Sequence, residues 1–233
     1  ILFSTCLHDV HKTNLNIILE CDPRLIGIFQ RIYPRFEIRG ESINANSYPS
    51  IEDFDFHLPM GSLPRYFRRN IIDFNNPISK FTPIQSAVTL IQERIQIYND
   101  KILVGICWRS GMLSKERNSN YTALSDWASI LSDPRYKFVN LVHGDCEAEL
   151  LVAEQTFNIE ILRWNDIDLK NDLEIVLALV SQLDCVISVA TALSVISAAA
   201  GVNTLVLLQR SWVLLGQNER YPWFTSAKPF VVE

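Results

Sequence analysis

Apolar residues recur along this chain at two spacings, one that fits strands and one that fits helices, and the two alternate. Ile102–Cys107 is a nearly unbroken apolar run, as a strand buried on both faces requires. Lys137–Val142, Ile159–Leu162, Cys185–Val189 and Thr204–Leu208 read as further strands, the last of them the final clear one. Between them lie helical stretches: Leu124–Leu131, a segment ending near Phe157, one opened by Asp172 with Leu173, Val176, Leu177 and Val180 on one face, and the small-residue run Thr191–Ala200 capped by Gly201. The first half alternates more weakly. Leu15–Leu19, Phe36–Arg39 and Phe54–Leu58 read as short strands. Asp22-Pro23 is an N-cap followed by a proline at the first helical position. Ser62 is placed to cap a short helix beginning at Leu63-Pro64, and Ile84–Tyr98 is an amphipathic helix.

Such alternation predicts an α/β fold with parallel sheets in two Rossmann-like halves. The break is expected near Asn99-Asp100, dividing the chain into 1–99 and 100–233. Ile1, Leu2, Phe3, Cys6, Leu7 and Val10 already sit at helical spacing, so the first half reads as incomplete at its N-terminus.

Composition adds exclusions. A hydrophobic share of 48% over 233 residues is enough for sizeable cores, and a net charge of −5 argues against a nucleic-acid-binding surface. The five cysteines form no CxxC pair and no zinc spacing, so no metal site is expected, and they read as small buried hydrophobes of a reducing compartment. Apolar stretches stop well short of the ~18 residues of a membrane span, and no basic stretch precedes an apolar one at the start. Cytoplasmic location is therefore the expectation.

In an open parallel sheet, ligands bind outside the carboxyl ends of the strands. That rule selects four loops of the second half: Trp108–Asn120, His143-Gly144-Asp145, Arg163–Asp172 and Val189–Ser194. The first concentrates Arg109, Lys115 and Arg117 beside Trp108, Ser110 and Gly111 in an acidic chain. Arg can grip a phosphate, Ser can hydrogen-bond it, and Gly lets the backbone approach closely. A solvated basic loop with Trp108 packed at the core edge is the competing reading. Thr191, Ala192 and Ser194 open a helix whose N-terminus suits a pyrophosphate, although Thr191 as a plain N-cap accounts for the same residues. Asp145 reads as a helix cap, His143 as a ligand contact or a structural histidine, and Asp166, Asp168 and Asp172 as solvated and capping carboxylates. The chain has no GxGxxG, P-loop, GxSxG or HExxH.

The run Val104-Gly105-Ile106-Cys107-Trp108-Arg109-Ser110-Gly111 resembles the start of the C-terminal domain in bacterial glycosyltransferase-like proteins that often carry tetratricopeptide repeats. Phe138–Asp145, Leu183–Ala192 and Tyr221–Phe224 follow in the family's order, and Ile18–Cys21 and Phe54–Pro64 are similar to its first half. These proteins resemble GT-B glycosyltransferases, including the heptosyltransferase type. The resemblance implies two Rossmann-like domains facing across a cleft, with the donor on the second and the acceptor on the first. It implies that Arg109, Ser110, Thr191 and Ala192 face the donor phosphates, that His143 and Gly144 lie near base or ribose, and that His57, Gly61 and Ser62 line the acceptor side. Sugar transfer to an acceptor hydroxyl would need neither metal nor cofactor, with a residue upstream of Ile1 as the expected base and His57 and Asp55 as lesser candidates. The chain has Ala190 and Val195 where such proteins often carry Asp and His. A non-catalytic binding or scaffold module is accordingly the alternative, and a nucleotide-sugar epimerase a third reading.

Overall fold

The computed structural model describes residues 1–41, 53–75, 78–112 and 118–231. It divides into two units, Ile1–Thr82 and Pro83–Glu233. The first opens with a 3-10 turn, Leu2–Cys6, running into α1 (Leu7–His11). Strands β1 (Ile18–Cys21) and β2 (Glu37–Gly40) pair in parallel, with α2 (Ile26–Ile32) between them. Asp22 caps the turn before α2 by accepting from the Arg24 N–H at 3.0 Å, with Pro23 just inside, as its sequence demands. α3 (Pro64–Phe67) is a single turn, and the buried Arg68 behind it binds Asp9 at 2.7 Å and the Thr5 carbonyl at 3.1 Å.

Two expectations for this unit are corrected. Phe54–Leu58 is not a strand: its alternating Phe54, Phe56 and Leu58 stay 55%, 94% and 45% exposed, so the pattern has no core face to bury. Ser62 caps nothing, because it belongs to a 3-10 turn, Met60–Ser62, and Leu63 takes the cap position.

The second unit begins one helix earlier than expected. α4 (Gln85–Ile95) packs on α7 (Leu173–Ser181), and so it joins the later residues rather than the first half. The unit's sheet holds β3 (Ile102–Cys107), β4 (Tyr136–Asn140), β5 (Ile161–Leu162), β6 (Cys185–Val189), β7 (Asn203–Leu208) and β8 (Ala227–Val231). They lie in the order β5-β4-β3-β6-β7-β8, and every pairing is parallel. Connecting helices include α5 (Ala128–Leu131), α6 (Glu147–Phe157) and α8 (Ala192–Ala199).

The core follows from this architecture. β3 is buried from its second residue to its last, as the central strand of a sheet covered on both faces must be. α7 is buried along Ile175–Val180, which explains why its sequence is apolar nearly all round. Its N-cap is Asp172, whose carboxylate accepts from the Ile175 N–H at 3.0 Å. β4 ends at Asn140 rather than at Val142, because the Asn140 amide folds back to take the Val142 N–H at 2.9 Å and turns the chain out of the sheet. β8 was not expected. Pro229 within it removes a ladder donor, and an edge strand tolerates that loss.

Candidate functional site

Strand order in the second unit reverses direction between β3 and β6. β4 and β5 extend to one side of β3, and β7 and β8 to the other side of β6. Loops leaving the carboxyl ends of two such strands part and open a crevice, the place where open α/β sheets bind ligands. Here those loops start at Trp108 and Ala190. They are joined beneath by Cys107, whose Sγ lies 3.3 Å from the Arg109 carbonyl and 3.9 Å from Thr191 Oγ1. Burial pushes the Cys107 thiol up to about 11, so it stays protonated and serves as packing.

On the β6 side, Thr191 is the N-cap of α8. Ser194 Oγ accepts from the Thr191 N–H at 3.3 Å and donates to the Thr191 carbonyl at 2.8 Å, tying the cap residue to the first turn. Ala192 is exposed and Ser194 is buried. The N–H groups of the intervening first turn have no partner within the helix and point out of its end, where negative charge is favoured.

On the β3 side the structure changes the role expected of two residues. Trp108 is fully buried and its Nε1 donates to Glu149 Oε2 at 2.6 Å. Arg109 Nε donates to the same carboxylate at 2.9 and 3.1 Å, and its Nη2 bonds Glu149 Oε1 as well. Nη2 also reaches the Asp145 carbonyl at 2.7 Å, and Nη1 the Ser110 carbonyl at 3.2 Å. The Arg109 side chain is 9% exposed. The guanidinium expected to face phosphate is thus turned inward onto a helix of its own unit. Burial alone would push the Glu149 carboxyl up, but the bonds from Arg109 and Trp108 together outweigh it and hold it below the usual carboxylate value. Ser110 remains at the surface end of the loop, its Oγ accepting from the Met112 N–H at 3.3 Å.

Gly111 brings this loop against the next one. A Cβ on Gly111 would overlap both the His143 ring and the His143 backbone carbonyl. Gly144 has φ +90°, a conformation that favours glycine, and a Cβ there would lie 3.6 Å from the Gly111 Cα. The β3 and β4 loops therefore meet glycine to glycine with His143 beside them. Burial, reinforced by Lys170 and Arg109, lowers the His143 pKa, so the ring is neutral at pH 7. A folded state that resists protonation loses stability as pH falls through the unfolded-state value of ~6.5. His143→Gln is expected to flatten the fall in melting temperature of the second unit between about pH 7 and about pH 5.5. His8, also lowered by burial, lies in the first unit and is left to titrate.

Beyond His143 a pocket of about 320 Å³ opens between the β4 and β5 loops, walled by His143, Cys146, Arg163, Trp164, Asn165 and Lys170 among others. Its far wall is held by ion pairs. Arg163 binds Glu147 at 2.7 Å and Glu154 at 2.8 Å, and Asp166 binds Arg94 of α4 at 2.8 Å. Asp168 accepts from the backbone N–H groups of Lys170 and Asn171, both at 2.9 Å, and so shapes the loop. Among the described residues, no group of three or more His, Cys, Asp or Glu side chains could hold a metal ion. Asp145 is not the cap of α6; Cys146 takes that position.

Lys115 and Arg117 lie outside the described residues. His57 and Gly61 are exposed in the first unit and Ser62 is half-buried there, with the His57 ring 6.2 Å from that of Phe54. Ala190 is exposed and Val195 half-buried at the start of α8. Reading the sequence missed Glu149 as the partner of Trp108 and Arg109, and it marked the 163–172 loop without singling out Trp164, Asn165 or Lys170. Among the described residues, no helix is long and apolar enough to cross a membrane.

No family model matches the chain. It is 30% identical over 225 residues to Protein FlbA of Caulobacter vibrioides, covering 92% of this chain and 38% of that protein. The chain thus spans under two fifths of that relative's length. The fold is similar to that of the E. coli ADP-heptose LPS heptosyltransferase II, with a TM-score of 0.59 at 13% identity, over 98% of this chain and 86% of that one. A glycosyl transferase family 9 structure from Veillonella parvula matches with a TM-score of 0.45 at 16% identity, over 66% of this chain and 42% of that one.

Proposed function

We propose that the second unit binds a nucleotide-sugar along the carboxyl edge of its sheet, and that the protein is a GT-B-type glycosyltransferase moving a hexosyl or heptosyl group to an acceptor hydroxyl. The observation that carries this reading is the strand-order reversal, which puts the α8 N-terminus, the Ser110-Gly111 turn and the His143-Gly144 turn around one crevice with a pocket at its end. The donor diphosphate sits over Thr191, Ala192 and Ser194, where first-turn N–H groups and the helix dipole meet its charge. Ser110 adds a hydroxyl, and Lys115 is the proposed source of positive charge. Gly111 and Gly144 keep the backbone low enough for the ribose to cross. The base enters the pocket, which is of small-ligand size, against Trp164 and beside His143.

In transfer, the acceptor oxygen attacks the anomeric carbon, the bond from that carbon to the phosphate oxygen breaks, and the nucleoside diphosphate leaves with the electron pair. A base takes the hydroxyl proton, and the α8 N-terminus stabilises the leaving phosphate. No metal or cofactor enters this scheme. His57 is the candidate base, with Gly61 and Ser62 beside it on the acceptor side. The acceptor is a glycan, a lipid-linked saccharide or a protein.

The named heptosyltransferase makes ADP-heptose one donor to include in a trial. Melting temperatures measured with UDP-, GDP-, CMP- and ADP-sugars are expected to rise with one of the four classes. A ligand at a hundred times its Kd adds about 2.7 kcal/mol. Four flat traces contradict the proposal. The exposed, apolar Ala190 beside the N-cap of α8 favours a second reading, a donor-binding module that does not catalyse. A melting shift with no release of nucleoside diphosphate in any acceptor mixture supports that reading instead.

A further inference from the structure

Arg109 is the only cation among the described residues of the Trp108–Met112 turn, yet its side chain is only 9% exposed. Its Nε and both Nη atoms are engaged by Glu149 and by the carbonyls of Asp145 and Ser110. Glu149, in turn, spends both carboxylate oxygens on Trp108 and Arg109. A phosphate could take the Nε–Nη2 edge of that fork only by displacing Glu149 from a guanidinium whose side chain is 9% exposed. A buried guanidinium held at all three of its nitrogens by a carboxylate and two carbonyls is built to hold a position rather than to receive a ligand. What it holds is specific. Arg109 ties the β3 loop to α6 through Glu149 and to the β4 turn through the Asp145 carbonyl, one residue past Gly144. These are the two loops that meet at Gly111 and His143.

We propose that Glu149 and Arg109 are positioning residues that clamp the β3 and β4 loops together in the donor-ready arrangement, and that neither touches the donor. This inference rests on the nucleotide-sugar reading of the crevice. Loss of binding in Arg109→Ala fits a phosphate ligand equally well, so it decides nothing. Glu149→Gln does decide. It keeps the side chain's size but removes the charge that fixes the guanidinium. If Arg109 were a masked phosphate ligand, freeing it would tighten binding. If it positions, the loop loosens and binding weakens.

The experiment measures two quantities on full-length wild type, Glu149→Gln and Arg109→Lys. One is amide hydrogen exchange at residues 109–112 and 143–146 without ligand. The other is the Kd of the nucleotide-sugar that stabilises the wild type. Faster exchange in both loops with Kd weakened roughly tenfold or more is expected. Unchanged exchange, or an unchanged or tighter Kd in Glu149→Gln, overturns the proposal. If Glu149→Gln does not fold, Arg109→Lys carries the exchange measurement alone, since a lysine cannot bridge Glu149 and the Asp145 carbonyl at once, and unchanged exchange in both loops then overturns the proposal. Should no nucleotide-sugar bind the wild type, the functional reading fails, and the exchange comparison still decides whether the pair clamps the loops.

Discussion

Replacing Gly105 with valine is expected to unfold the second unit. Gly105 lies at the centre of β3, the middle strand of the six. A Cβ there would overlap Leu141 Cδ1, lie 2.7 Å from Leu183 Cδ1 and 3.2 Å from Val186 Cγ2. The obstacles come from both flanking strand regions at once, so no single rotamer change clears the space. Overpacking of a tight core costs about 1–3 kcal/mol, and a branched side chain at this point exceeds that range. Against a total stability of about 5–15 kcal/mol, the loss is a large share. Urea unfolding followed by circular dichroism is expected to show Gly105→Ala with a clearly lowered midpoint and Gly105→Val insoluble or already unfolded. A Gly105→Val protein with the wild-type midpoint would mean that the sheet packs differently from this description.

Gly111→Ala is expected to act on the site more than on the fold. Its Cβ would overlap the His143 ring and the His143 carbonyl. The ring can swing away, but the carbonyl belongs to the β4 turn, and the two loops must separate. Stability is expected to fall by about 1–3 kcal/mol. Donor affinity is expected to fall by roughly tenfold or more, because an ångström of misplacement at a binding loop has effects of that order. The double variant with His143→Ala separates the two obstacles. It removes the ring and leaves the carbonyl, so only part of the lost stability returns. Full recovery would show that the ring alone sets the contact, and no loss in Gly111→Ala would show that the loops are not in contact.

The sequence reading reached some parts of this structure and not others for identifiable reasons. β3, β6 and α8 were legible because a central parallel strand is apolar throughout and a helix packed flat on a sheet is rich in small residues. The loops at the sheet's carboxyl edge were legible because strand–helix alternation fixes which strand ends lie at the same edge. Phe54–Leu58 misled because period-two alternation describes a strand only where one face is covered. β8 escaped because an edge strand tolerates Pro229, and a proline otherwise argues against a strand. The inward turn of Arg109 escaped because its partner Glu149 is 40 residues away, where no local spacing rule connects a loop cation to a helix carboxylate. Trp108 and Arg109 stood out as a constellation. What their order in the sequence did not carry was the direction in which the guanidinium points.

In the proposed reading one crevice, at the strand-order reversal of the second unit, takes the donor. Hydrogen exchange measured with and without the nucleotide-sugar that raises the melting temperature tests it most directly. Protection is expected to concentrate at residues 109–112, 143–146 and 191–194, with lesser protection at 163–170 around the base. Protection confined to other segments, with these four loops exchanging as in the free protein, would contradict it.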